Sequence, residues 1–253
     1  MNRDYTKLKE DLICLGLQPG DSVLIHSSFK AMGKIDGGIQ TLLDALRSVV
    51  KDSGTLVFPT LTHAGVTPES PVFSQTETPS CVGAVSEYVR TLGESLRSVH
   101  PTHSCAALGK LADTYTQSHH LDNTPVGEHS PFFKLKENGG KILMLGCGLK
   151  PNTSMHGVEE AFRTPYVLSP EPFLYTIKTP EGEYQKPYYR HWISQNGYAQ
   201  RYDRVITVLN QLYIIEGLVH GAKSYLIDSA EMWKQALQVM KRDPHFFVDK
   251  IDE

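Results

Sequence analysis

Cysteine is scarce in this chain. Four occur in 253 residues, at positions 14, 81, 105 and 147, and no two form a C-x-x-C pair. That spacing does not support a disulfide framework and points to a reduced, cytoplasmic protein. No apolar run approaches the roughly 20 residues that span a bilayer. The first residues, MNRDYTKLKEDL, follow a charged helical pattern and not that of a signal peptide. Charge of one sign is also missing: the formal net charge is −3, so no strong field favours nucleic acid or an anionic membrane. There is no H-E-x-x-H, no G-x-S-x-G, no internal repeat and no low-complexity tract, which removes the usual signatures of a zinc peptidase or a serine hydrolase. Histidine, by contrast, is plentiful at 11 residues.

The length suits one large α/β domain or two small ones, and is enough for a sizeable core. Residues 4–15 predict an amphipathic helix stopped near Gly16. Short buried strands at SVLIH (22–26), TLVFP (55–59) and KILMLG (141–146) alternate with helical stretches at 37–50, 82–93, 110–121 and 152–162. Alternation of this kind predicts an α/β fold with a largely parallel sheet over about 1–165. From about 166 to 253 the pattern turns more antiparallel. Strands FLYTIK and EYQKPYY are joined by TPEGE, followed by a helix near 199–212, strands YIIEGLVH and KSYLID, and a helix at 229–241. The proline-punctuated stretch 59–80 reads as a long polar loop, either lining a substrate site or inserted at the surface.

The segment KILMLGCGLKPNTSMHGVEEAF (141–162) carries the most chemistry. A strand, a glycine turn and a helix place the helix start at the strand's C-terminal edge, where open α/β sheets collect ligands. Thr153, His156, Glu159 and Glu160 fall on neighbouring positions of that helix. A glutamate one turn from a histidine can fix its tautomer and leave the other ring nitrogen free as a general base. Thr153, beside the helix start, could donate to a developing oxyanion. The same spacing also describes an ordinary surface i,i+3 pair. GCGLKP lacks the third glycine of a dinucleotide fingerprint. His26, Ser27 and Ser28 follow the first buried strand. His100 and His103 of HPTHS (100–104) supply at most half of a metal site, and no spacing elsewhere completes a zinc pattern. Cys147 reads as a small residue beside a turn.

In order along the chain, VLIHSSFKAMGKIDGG (23–38), GTLVFPT (54–60), HPTHSCAALG (100–109), VGEHSPFFKL (126–135), GGKILMLGCGLKPNTSMHGVEE (139–160) and GLVHGAKSYLIDSAEMW (217–233) resemble the aminoglycoside 3-N-acetyltransferase family over about residues 5–240. The resemblance implies a mixed-sheet α/β sandwich in a single domain, unlike the commoner acetyltransferase fold with its Q/R-x-x-G-x-G/A pyrophosphate loop. It implies acetyl-CoA as co-substrate, a small-molecule amine of an aminoglycoside or amino sugar as acceptor, no nucleic-acid or membrane partner, no metal, and a homodimer as the assembly to test. It matches His156 to the catalytic histidine, Glu159 to its carboxylate partner, with Glu160 as the alternative, and Thr153 to the polar residue near the acetyl carbonyl. His26, Ser27, Ser28 and Phe29 match the segment beside the coenzyme, and His100 and Ser104 match a segment at the same cleft. Acids expected in the later part of the family pattern are replaced by Arg190, His191 and Trp192 in PYYRHWISQNGYAQRYD (187–203), which favours a simpler amino sugar over a polycation. Transfer of another acyl group, or to an oxygen acceptor, is the competing reaction.

Overall fold

The computed structural model describes residues 2–251. Its first half runs α1 (Arg3–Cys14), β1 (Ser22–Ser27), α2 (Gly38–Val50), β2 (Thr55–Pro59), β3 (Val72–Ser74), α3 (Ala84–Arg90), β4 (Leu96–Arg97), β5 (Cys105–Gly109), α4 (Ala112–Thr116), α5 (Pro131–Glu137), β6 (Lys141–Leu145) and α6 (Ser154–Phe162). The second half runs β7 (Phe173–Thr179), β8 (Gly182–Tyr188), β9 (Tyr198–Gln200), α7 (Val205–Val208), β10 (Ile214–Val219), β11 (Ala222–Asp228), α8 (Ser229–Met240) and β12 (Val248–Lys250).

Seven strands form the central sheet in the order β10-β11-β6-β1-β2-β5-β4. Only β6-β1-β2 are parallel neighbours; β11, β5 and β4 join antiparallel. The expected largely parallel sheet is therefore a parallel centre with antiparallel flanks. The cause lies in the connection: between β2 and β5 the chain makes an excursion over residues 60–104 that holds β3, α3 and β4 and brings β5 back antiparallel. β11 comes back from the C-terminal part to pair with β6, so both parts of the chain share one sheet.

Strand alternation sorts the core into two layers. Val23 and Ile25 of β1 pack with Leu143 and Leu145 of β6 against α1, α2 and α3. Leu24, Ile142 and Met144 face the opposite side, under α5, α6 and α8. Continuous apolar strands such as KILML are buried on both faces, which explains their lack of visible period. The segment 59–80 contains β3, which pairs with β7 in a small second sheet with β8. The helix expected near 199–212 is mostly not one. Residues 198–200 form β9, paired with β12, and only Val205–Val208 is α-helical. There, backbone pairing with a distant strand overrides local helical preference. Among the described residues, no helix is long and apolar enough to cross a membrane.

Candidate active site

A cavity of about 700 Å³ opens at the C-terminal edge of the parallel centre, within the range of small-molecule sites. The sequence builds this edge in a definite way. After β6, Gly146 takes φ +68° and Gly148 φ +67°, a left-handed backbone that glycine adopts without a Cβ penalty. A Cβ on Gly146 would lie 3.1 Å from the Cβ atoms of both Ala31 and Ala222. The Asn152 side chain then accepts from the Ser154 amide at 3.2 Å, opening α6. Gly157 sits in mid-helix because a Cβ there would lie 2.2 Å from the Trp233 ring. Its absence lets α6 pack tightly on α8 and fixes the height of His156 above the sheet.

His156 is buried and lines the cavity. Its Nδ1 lies 2.7 Å from the Tyr202 hydroxyl. That hydroxyl in turn makes a short hydrogen bond to Glu159 Oε2. The direct His156 Nδ1–Glu159 Oε2 distance is 3.7 Å, so the glutamate acts mainly through the tyrosine. Glu159 is fully buried and also accepts from the Tyr166 hydroxyl at 3.3 Å. Burial, and then the charge of Glu159, pushes the Tyr202 phenol far above its ordinary pKa, so it keeps its proton. One direction satisfies the chain: Nδ1–H donates to the tyrosine oxygen, and the tyrosine donates to the carboxylate. The remaining ring nitrogen, Nε2, meets only the Gln200 amide, at 3.4 Å.

Glu160 does not turn toward His156. Its Oε1 lies 2.6 Å from His191 Nε2 and accepts from the Val126 amide at 2.9 Å. Burial raises the Glu160 carboxyl to about 8 and holds His191 and His103 well below the usual imidazole range. Both shifts favour neutral forms, so Glu160 O–H donates to His191. His191 Nδ1 then donates to His103 Nε2 at 3.1 Å, and His103 Nδ1 donates to Thr102 Oγ1 at 2.9 Å. The His191 ring stacks on His156 at 3.9 Å between centroids and 26° between planes. His103, His156 and His191 each bring a ring nitrogen within 4.8 Å of the others, the reach of a metal triad. Face-to-face stacking sends the in-plane lone pairs of His156 and His191 out side by side instead of toward one point. The geometry is that of a hydrogen-bonded imidazole cluster.

The structure brings together some of the expected residues and separates others. Thr153, His26 and Ser27 line the cavity with His156. His26 is buried, burial drops its pKa to about 3, and its Nε2 has no partner among the described residues. Such an orphaned polar atom, buried just behind the wall, is a candidate partner for a polar group of a bound ligand. Ser28 and Phe29 lie back from the wall: Ser28 N–H donates to Leu145 O at 2.9 Å and Phe29 packs on the α1–α2 layer. His100 and Ser104 are fully buried and do not line the cavity. His100 Nδ1 accepts from the amides of Thr102 and His103, and Ser104 Oγ holds Thr60 O and the Arg97 side chain. Their geometry is that of a turn and a core, at the back of the cleft wall. In the same HPTHS motif it is Thr102 and His103 that reach the cavity. Within the 59–80 segment, Leu61 and His63 do line it. Spacing gave no hint of Tyr202 or of the His191–Glu160 pair, because their partners lie 43 and 31 residues away.

The family model for aminoglycoside 3-N-acetyltransferases matches residues 24–241. Aminoglycoside N(3)-acetyltransferase VII of Streptomyces paromomycinus is 34% identical over 171 residues, covering 61% of this chain and 59% of that protein. This chain thus spans about three fifths of the curated relative it matches. Among solved structures, AAC-IIIb in a binary complex with CoASH superposes with a TM-score of 0.81 at 28% identity, covering 94% of this chain and 96% of the other. A histidine-to-alanine variant of AAC(3)-IVa in complex with a gentamicin gives a TM-score of 0.81 at 28% identity, over 96% and 90% of the two chains. The agreement extends from the strand before His26 to the helix that packs on His156, and on that evidence the chain belongs to the aminoglycoside 3-N-acetyltransferase family.

Proposed function

We propose that this protein transfers an acetyl group from acetyl-CoA to the amine of an aminoglycoside or amino sugar in the cytoplasm, with His156 as general base. One observation carries the reading: a histidine whose Nδ1 is tied through Tyr202 to Glu159 while Nε2 faces the cavity. A substrate ammonium must lose a proton before its nitrogen can attack a thioester. Imidazole, ordinarily near pH 6.5, takes such a proton near neutrality. As the imidazolium forms, Nδ1–H polarises the tyrosine hydroxyl toward Glu159, so the buried carboxylate stabilises the new charge at one remove. The stacked His191, neutral through Glu160, adds no repulsion. Attack on the acetyl carbon forms the C–N bond and places negative charge on the carbonyl oxygen. Thr153, which lines the cavity with His156, is the donor we assign to receive it. Collapse expels the coenzyme thiolate, which takes up the proton that the attacking nitrogen sheds as it becomes an amide, and the proton held on His156 leaves to solvent. Support for the coenzyme comes from AAC-IIIb, whose complex holds CoASH, and from the unpartnered Nε2 of His26 just behind the wall.

The test is thiol release from acetyl-CoA in the presence of amines, wild type beside His156→Ala. Loss of a general base costs roughly 10²–10⁴-fold. The expected result is that loss in kcat with coenzyme binding intact. A variant that keeps near-full turnover would remove His156 from the reaction.

A further inference from the structure

Among the described residues, the charges on the cavity wall are one-sided. Among the described residues that line it, none is aspartate or glutamate, whereas Arg190 and Lys150 both do. Glu159 and Glu160 lie behind the wall and are committed to Tyr202 and to His191. The histidines do not change this balance, because burial holds His26, His63, His103 and His191 below the ordinary imidazole range and therefore uncharged at neutral pH. Arg190 adjoins His191 in sequence. Its guanidinium donates to Val66 O at 2.7 Å, to the Tyr175 hydroxyl at 2.9 Å and to His63 O at 3.1 Å. All three acceptors are uncharged, and two of the five N–H donors of a guanidinium remain. A half-buried cation with no carboxylate in ion-pair contact among the described residues, Glu69 sensing its charge only from farther off, is a ready site for a ligand's anion. An acceptor with several ammonium groups would instead bring them against two fixed cations.

From this wall we infer that the acceptor is an amine carrying an acidic group, a phosphate or carboxylate, on the same molecule, with the acid held at Arg190 and the amine delivered to His156. The inference rests on the acetyl-transfer reading and narrows its substrate class. The phosphates of the coenzyme offer the same anionic chemistry, so the experiment must separate the two sources.

It compares kcat/KM for matched amines with and without the acid: glucosamine against glucosamine 6-phosphate, alaninol against alanine, and ethanolamine against phosphoethanolamine, with kanamycin as the polycation. The expected result is a preference of at least tenfold for the acidic member of a pair, and kanamycin below it. In Arg190→Gln that preference falls at least fivefold while KM for acetyl-CoA stays within twofold. Because Arg190 also ties down the 63–66 segment, Lys150→Gln, at an exposed position, provides a second measurement of the same ratio, and the wild-type comparison stands without either variant. Kanamycin as the best acceptor, or no pair favouring its acidic member, overturns the inference and leaves acetyl transfer standing. A raised KM for acetyl-CoA with an unchanged acceptor ratio also overturns it, by assigning Arg190 to the coenzyme. Absence of thiol release with every amine overturns the transfer reading itself.

Discussion

Two buried polar clusters lie within a few residues of each other in this fold, and they direct their hydrogen bonds differently. Around Arg97, every contact is inward. The guanidinium donates to Ser104 Oγ, to the carbonyls of Gln75 and Thr78, and to Thr60 O. Behind it His100 stacks on His119 at 4.8 Å, and His119 Nδ1 is 3.0 Å from Ser98 Oγ. Around His156, the bonds run along chains that end at the cavity. Tyr202 and Glu159 hold one ring nitrogen and leave the other open, and Glu160, His191 and His103 form a second chain beside the first. The first cluster ties the 59–80 excursion to the sheet edge; the second presents to a ligand a nitrogen held by nothing stronger than a 3.4 Å contact with the Gln200 amide. Both contain a histidine from the same five-residue motif, so motif membership does not separate structure from chemistry, but the direction of the remaining valence does.

The strongest way to break this comparison is Arg97→Met. Burial lowers the Arg97 guanidinium to about 9, so it is still charged at pH 7, and its removal strands several buried acceptors. Loss of a buried network of this kind is expected to cost about 3 kcal/mol, or roughly 6–12 °C in Tm for a chain of this size. Thermal denaturation would show it, and kcat/KM per folded molecule should change little. Tyr202→Phe should do the reverse. It deletes the link between His156 and Glu159 and leaves both unpartnered at that point. Turnover should fall roughly 10–100-fold, the equivalent of about 1.4–2.7 kcal/mol, with KM for acetyl-CoA almost unchanged. A Tyr202→Phe enzyme with full kcat would show that Glu159 works directly.

A smaller effect comes from pH. His26 and His119 fold neutral with pKa values lowered to about 3 by burial. Unfolded, they bind protons below about 6.5. Their contribution to stability is therefore complete above that pH and is lost as pH falls from 6.5 toward 3. Glu160 has the opposite sign. Its carboxyl is raised to about 8, so it costs stability as pH climbs from 4.5 to 8. Scanning Tm from pH 5 to 8, Glu160→Gln should gain on wild type with rising pH, by less than the roughly 1.4 kcal/mol per pH unit of a full proton. A constant difference across that range would mean that Glu160 is ionised in the fold.

The sequence disclosed what is local. The strand-glycine-helix run at 141–162 was legible because buried strands, glycine turns and helix starts are written in consecutive residues. His156 and Thr153 followed from it. The antiparallel flanks of the sheet were not legible, because pairing β2 with β5 depends on where a long excursion, residues 60–104, returns. Tyr202 fell in a stretch with helical composition that pairs as a strand and a tight turn instead. His191 was visible only as a departure from an expected acid, and its partner is Glu160, the alternative weighed for His156. Side chains that meet across the sheet edge leave no spacing to count.

The cavity wall draws on chain from Ile25 to Ile251. Ile251 N–H donates to Gly197 O at 2.8 Å, and β12 pairs with the β9 strand that carries Gln200. The wall is thus completed by Ile251 and the β12 strand before it, laid against a strand that lies far back in the sequence. Contacts of such sequence separation form late, after most of the core has already collapsed. Recovered turnover after dilution from denaturant would then report the arrival of the C-terminal strand, trailing, in a Trp192→Phe background, the fluorescence change of Trp233, which packs from α8 onto α6.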